Sequence, residues 1–218
     1  MPRSRLILEF FALYFVLPLA YRYSPVRIPA LPALWLAAGY ALWQLLRDPG
    51  FDRDKLWNLA PLRGQLPAIL ATFCCAAFLL WLGVHRFTTG LEWDFVRRHP
   101  SFWAMVMVAY PVLSVYPQGL IYRAFFFSRY TALFPGRWTM TLASAAVFSF
   151  MHIVFRNPIA PALTFVGGLF FAYRYRQTGS LATSSFEHSL YGCWLFTIGL
   201  GLYFYHGTIA SAAEFVRR

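Results

Sequence analysis

Long apolar blocks separated by short polar links set the pattern of this chain. Leu6 to Tyr21 is the first block, with Pro18 near its end and Glu9 as its only acidic group; Ile28 to Leu46 is the second, entered through Pro25, Pro29 and Pro32. The polar stretch 47–65 carries Asp48, Asp52, Arg53, Asp54, Lys55 and Arg63 around Leu56, Trp57 and Leu59, which predicts a loop with a short interfacial helix. Leu66 to Val84 is the third block, and the link 86–100 holds Glu92, Asp94, Arg97 and Arg98. A helix needs about 20 apolar residues to cross a bilayer, so each block predicts a membrane-spanning helix.

The later blocks are less regular. Phe102 to Arg129 is too long for one straight crossing, and Pro111 and Pro117 predict a kink or break that would make Tyr116 to Tyr130 the second half of a broken helix. Trp138 to Phe155 is closed by Arg156-Asn157-Pro158, and Ile159 to Tyr173 contains Gly167-Gly168, a site for close helix contact. Leu181 to Tyr205 is long enough to tilt, or to break near Gly192 into two segments. The expected fold is all-α: a polytopic transmembrane helical bundle of seven to eight helices, forming a single domain over residues 1–218.

Composition agrees with the pattern. The chain is 59% hydrophobic, 20% aromatic and only 12% charged, with a mean hydropathy of +0.52, far more apolar than a soluble domain of 218 residues can hide. The net charge of +11 reads as cations at helix ends facing anionic headgroups, so membrane lipids are expected partners and nucleic acid is not. With the N-terminus cytoplasmic, 11 of the 19 basic residues fall in inside segments, which favours that orientation; the expected location is a multi-pass position in the cell (inner) membrane, which the count itself does not distinguish from an organelle's. Trp57, Trp138 and Tyr173 read as interface anchors. Cys74, Cys75 and Cys193 lie in apolar runs as small buried hydrophobes without metal-ligand spacing. The N-terminus lacks a clear cleavage site and reads as a retained first helix, with Glu9 snorkelling or pairing with Arg5.

Three apolar segments carry polar groups. One holds Gln118 and Arg123, one is Phe148-Ser-Phe-Met-His152, and one is Ser184 to Gly192, containing Glu187 and His188. In hydrocarbon each such group costs several kcal/mol unless paired, so they should face protein or a wet cavity. His85 and His99 sit at helix ends or in a loop and His206 near the last helix end, which leaves His152 and His188 as the deep histidines. Two imidazoles on separate helices, a guanidinium and a carboxylate make a set that could bind a metal, activate water or stabilise an oxyanion. Two such histidines could also ligate a b-type haem. Phe148 and His152 are one turn apart, so the ring can form a floor under the imidazole; His188 and Gly192 repeat the spacing.

The order of these motifs resembles the CPBP (ABI) intramembrane proteases, which include the CAAX prenyl endopeptidases and bacteriocin-processing proteins. Their pattern is Glu-Glu-x-x-x-Arg, then Phe-x-x-x-His, then His-x-x-x-Asn or Asp. Arg123, Phe148, His152 and His188 stand at matching positions, and the protease-like core would cover about 102–206. The resemblance implies an intramembrane metalloendopeptidase acting on peptide or lipidated (prenylated) protein substrates, with His152 and His188 as ligands of zinc or another divalent metal, or as the water-activating pair. Arg123 would hold the geometry and Gln118 would orient the water. The chain departs from the pattern at Gln118 and Gly119, where the glutamates belong, and at Gly192. Glutamine cannot take a proton from water and glycine offers nothing, so Glu187 is the candidate substitute acid. The second reading is a catalytically inactive relative that binds a peptide or membrane partner.

Overall fold

The computed structural model describes residues 2–26, 28–88 and 92–204. The described residues form nine helices and no strand: α1 (Arg3–Tyr23), α2 (Ala30–Arg47), α3 (Asp54–Trp57), α4 (Ala60–Phe87), α5 (Asp94–Arg98), α6 (Pro100–Arg129), α7 (Arg137–Phe155), α8 (Ile159–Thr178) and α9 (Leu181–Thr197). Seven of them are long, and α1, α4, α6 and α7 are long and apolar enough on that basis alone to cross a membrane. The protein is an integral membrane helical bundle. The short α3 is the helix expected between Arg47 and Gln65, with Trp57 stacked on Tyr116 at 4.9 Å.

The expected break in α6 does not occur. Residues 100–129 form one helix that widens into π-type turns at Pro111–Val115 and Leu120–Phe125. A proline leaves the carbonyl four residues earlier without its amide partner, which is costly in hydrocarbon. Other helices supply the missing donors. The Met107 carbonyl, orphaned by Pro111, accepts from Cys193 Sγ at 3.9 Å, and the Leu113 carbonyl, orphaned by Pro117, accepts from Trp35 Nε1 at 3.0 Å. In the second wide turn Tyr14 Oη donates to the Ile121 carbonyl (3.1 Å) and Ser144 Oγ to the Tyr122 carbonyl (2.7 Å). Side chains of α9, α2, α1 and α7 are thus bonded to the backbone of α6, which makes it the axis of the bundle.

The aromatic run on α6 faces this core. Phe125 and Phe126 are buried, and Phe10 and Tyr14 of α1 pack on Phe126 and Tyr130 at ring separations of 5.3–6.2 Å. Glu9 does not pair with Arg5. Its carboxylate accepts from Arg129 Nε at 2.8 Å, Arg129 Nη2 at 2.7 Å and Tyr130 Oη at 3.1 Å, which ties the first helix to the end of α6.

The last helices form a hairpin. Gly179 closes α8 in the left-handed region (φ 61°), and the Ser180 side chain caps α9 by accepting from the Thr183 amide at 3.0 Å. Gly192 lies inside α9 and does not break it. The helix ends beyond Thr197, Gly199 turns at φ 92°, and Leu200–Phe204 form a 3₁₀ turn; Tyr205 and His206 lie outside the described residues. Helix α4 stands further out: among its 28 residues only Ile69, Ala77 and Val84 are buried. Cys74 and Cys75 on this helix are exposed, so they face lipid and not the core.

Candidate functional site

A cavity of about 540 Å³ lies between α4, α6, α8 and α9, with the end of α7 forming one wall. Its lining includes Gln118, Tyr110, Phe148, His152, His188 and Gly192, so two of the three polar segments converge here with the amide of the first. The rest of the wall is aliphatic and aromatic. Leu79 and Met105 on the rim are 60% and 53% exposed, so the cavity opens sideways toward lipid.

Local structure explains each polar position. The α-helical part of α7 gives way to a 3₁₀ turn at His152, whose Nδ1 lies 2.7 Å from the Phe148 carbonyl. A carbonyl only accepts, so Nδ1 carries the proton and Nε2 keeps its lone pair. The His152 and Phe148 rings are 4.7 Å apart, which places the expected aromatic floor. His188 stacks on Phe171 at 4.4 Å and meets the edge of Phe148 at 5.5 Å. Both imidazoles therefore border one ring. Gln118 donates its amide to Ser114 Oγ one turn back at 2.7 Å, leaving its carbonyl oxygen uncommitted.

Arg123 is 1% exposed and lies behind this site, its guanidinium 4.2 Å from the centre of the Phe148 ring and 5.3 Å from that of Phe171. None of its three nitrogens has a hydrogen-bond partner among the described residues. The space where a glutamate at 119 would project is not open to water. A Cβ there would meet Leu181 Cδ1 at 2.7 Å and Ser185 Oγ at 3.1 Å.

Glu187 is turned away from the cavity. Its carboxylate accepts from Arg174 Nε at 2.9 Å and Nη2 at 3.2 Å, and Arg174 Nη1 donates to Gln65 of α4. Successive residues on a helix point about 100° apart, so His188 can face the cavity only with Glu187 facing α8. The Arg174–Gln65–Glu187 network was not read from the sequence, where Arg174 counted as a cation at a helix end. Its signal was the hairpin: Arg174 and Glu187 lie on the two arms that turn at Gly179.

Tyr110 was also missed. Its ring packs edge-on against Phe196 at 5.2 Å and lies so close over Gly192 that a Cβ there would run into its phenol end, with Cζ at 2.6 Å. The aromatic therefore takes the room a side chain at 192 would fill. Gly192→Ala is expected to cost about 1–3 kcal/mol by overpacking, and Tyr110→Ala in the same chain should recover part of it; thermal unfolding in detergent checks both.

Comparison with known proteins fits this picture. The profile of the type II CAAX prenyl endopeptidase Rce1-like family matches residues 100–205, from the start of α6 to the end of the 3₁₀ turn. That segment, just under half of the chain, is similar to this family. No curated protein and no solved structure matches the chain. The Rce1-like segment contains every polar residue of the cavity, whereas α1, α2 and α4, which lie outside it, supply packing and part of the rim.

Among the described residues, the donor set of this Rce1-like site falls short of what a resident zinc ion takes. Catalytic zinc usually takes three protein ligands, and among the described residues no three histidine, cysteine, aspartate or glutamate side chains converge. A guanidinium without a carboxylate next to the imidazoles further opposes a dication.

Proposed function

We propose that this Rce1-like protein binds a peptide or the lipid-modified end of a membrane protein in its cavity without hydrolysing it. The observation that carries the reading is that, among the described residues, no carboxylate lines the cavity. Peptide hydrolysis in such a site needs a base to take the proton of water. Gln118 cannot, the space beside position 119 is filled by Leu181, and Glu187 is held by Arg174, so the His152 and His188 imidazoles are left without a carboxylate to share that proton. What is left is an apolar pocket with two imidazoles and an amide at its polar end, suited to orienting a bound amide or thioether.

The endopeptidase reading retains one point in its favour, since His152 and His188 line the same cavity. A fluorescence-quenched farnesylated peptide incubated with the full chain separates the two. The expected result is saturable binding with cleavage at the buffer rate, and gain of measurable cleavage only in Gly119→Glu combined with Leu181→Ala, which makes room for the acid. Wild-type cleavage that disappears in His152→Ala, together with stoichiometric zinc lost in the His152→Ala, His188→Ala double variant, would establish the enzyme instead. Absence of both binding and cleavage would remove both readings. We also propose the cell membrane as the location, with the N-terminus on its cytoplasmic face from the excess of basic residues there.

A further inference from the structure

Arg123 poses a problem that the packing of this chain does not solve. A guanidinium keeps its charge at any accessible pH, and an ion in a low-dielectric interior costs several kcal/mol unless a counter-charge meets it. Here the guanidinium is buried with all three nitrogens unpartnered among the described residues, and the faces of Phe148 and Phe171 offer only cation–π contact. The acids of α9 and α1 are committed elsewhere: Glu187 to Arg174, and Glu9 to Arg129. Tyr110, His152 and His188 all border the cavity. One aromatic ring, Phe148, thus separates an unneutralised cation from the polar end of an apolar chamber. The chamber's volume, about 540 Å³, falls in the roughly 300–1,000 Å³ range of small-molecule sites. Its lipid-exposed rim at Leu79 and Met105 lets a hydrocarbon chain slide in from the bilayer.

We infer that the cavity accepts a single-chain amphiphile with a carboxylate head, a free long-chain fatty acid, whose tail fills the apolar chamber and whose head supplies the negative charge that Arg123 lacks. The inference rests on the reading of the cavity as a binding site and narrows its ligand. The His188 ring N–H and the second N–H of the Gln118 amide are the donors left to solvate the head, while the guanidinium acts across or around the Phe148 ring, where the low dielectric lets a charge reach further than in water.

The test uses the full chain in detergent with radiolabelled palmitate as probe and hexadecanol, its uncharged counterpart, as competitor. Saturable palmitate binding is expected, with hexadecanol at least tenfold weaker. Arg123→Met, which keeps the aliphatic stem, should abolish that preference by weakening palmitate about tenfold, and Arg123→Lys should retain most of it. Thermal unfolding of each variant shows that it is folded. Equal competition by hexadecanol, unchanged palmitate affinity in folded Arg123→Met, or no saturable palmitate binding would overturn the inference. The farnesylated-peptide assay reports separately: peptide binding without palmitate binding sinks only the fatty acid, and wild-type peptide cleavage sinks the non-hydrolytic reading whatever palmitate does.

Discussion

Replacing Glu187 with Leu is expected to destabilise the folded protein by about 3–5 kcal/mol, the cost of stranding a buried cation. The two side chains of this pair are 1% and 6% exposed, so solvent screens little of the lost interaction, and Arg174 would keep only its bond to Gln65. Changing both residues at once, Arg174→Met with Glu187→Leu, should cost much less than the single change, because a buried ion pair replaced by apolar groups of similar size is often neutral. A double-mutant cycle read by thermal unfolding measures the coupling directly. Equal losses in the single and double variants would mean that Arg174 finds another partner or reaches the membrane surface.

Gly168→Leu should be nearly as damaging, by about 3 kcal/mol. A Cβ on Gly168 would lie 3.1 Å from the Cα of Ala145 and 3.1 Å from Cδ1 of Phe148, so a larger side chain must push backbone and ring together. This places the substitution at the upper end of overpacking costs. Gly192 differs in kind, because Tyr110 can swing into the cavity while the α7 backbone at Ala145 has nowhere to go. The expected signs are therefore a lowered unfolding temperature for Gly168→Leu that no single truncation on α7 restores, together with loss of whatever Phe148 supports at His152 and His188.

Much of the fold was legible because hydrocarbon imposes its own rule: blocks of apolar residues must be helices, and their spacing fixes their order. The histidines were legible for a related reason, since a titratable ring deep in such a block needs a purpose. Partner choice was not legible. The prolines of α6 looked like breaks because a sequence shows the amide that is missing, while the Cys193 thiol and the Trp35 indole that stand in for it come from helices remote in sequence. For Glu9 the sequence offers only the interface or the neighbouring Arg5, and its partner lies 120 residues away. Glu187 looked available for chemistry because the adjacent histidine is in the site, and only the hairpin shows that one helix face serves the cavity and the next serves Arg174. The space beside Gly119 is taken by Leu181, which a motif centred on α6 does not contain.

The clamp between Glu9 and Arg129 also sets a timetable for synthesis. The carboxylate leaves the ribosome 120 residues before the guanidinium that receives it, and at roughly 5–20 residues per second that gap is on the order of ten seconds. Throughout it the first helix carries an unmatched charge near its N-terminal end, along with the hydroxyl of Tyr14, destined for a carbonyl that has not yet been made. The nascent helix must wait at the bilayer rim or beside the insertion machinery until α6 is translated, so α1 is laid down early and docked late.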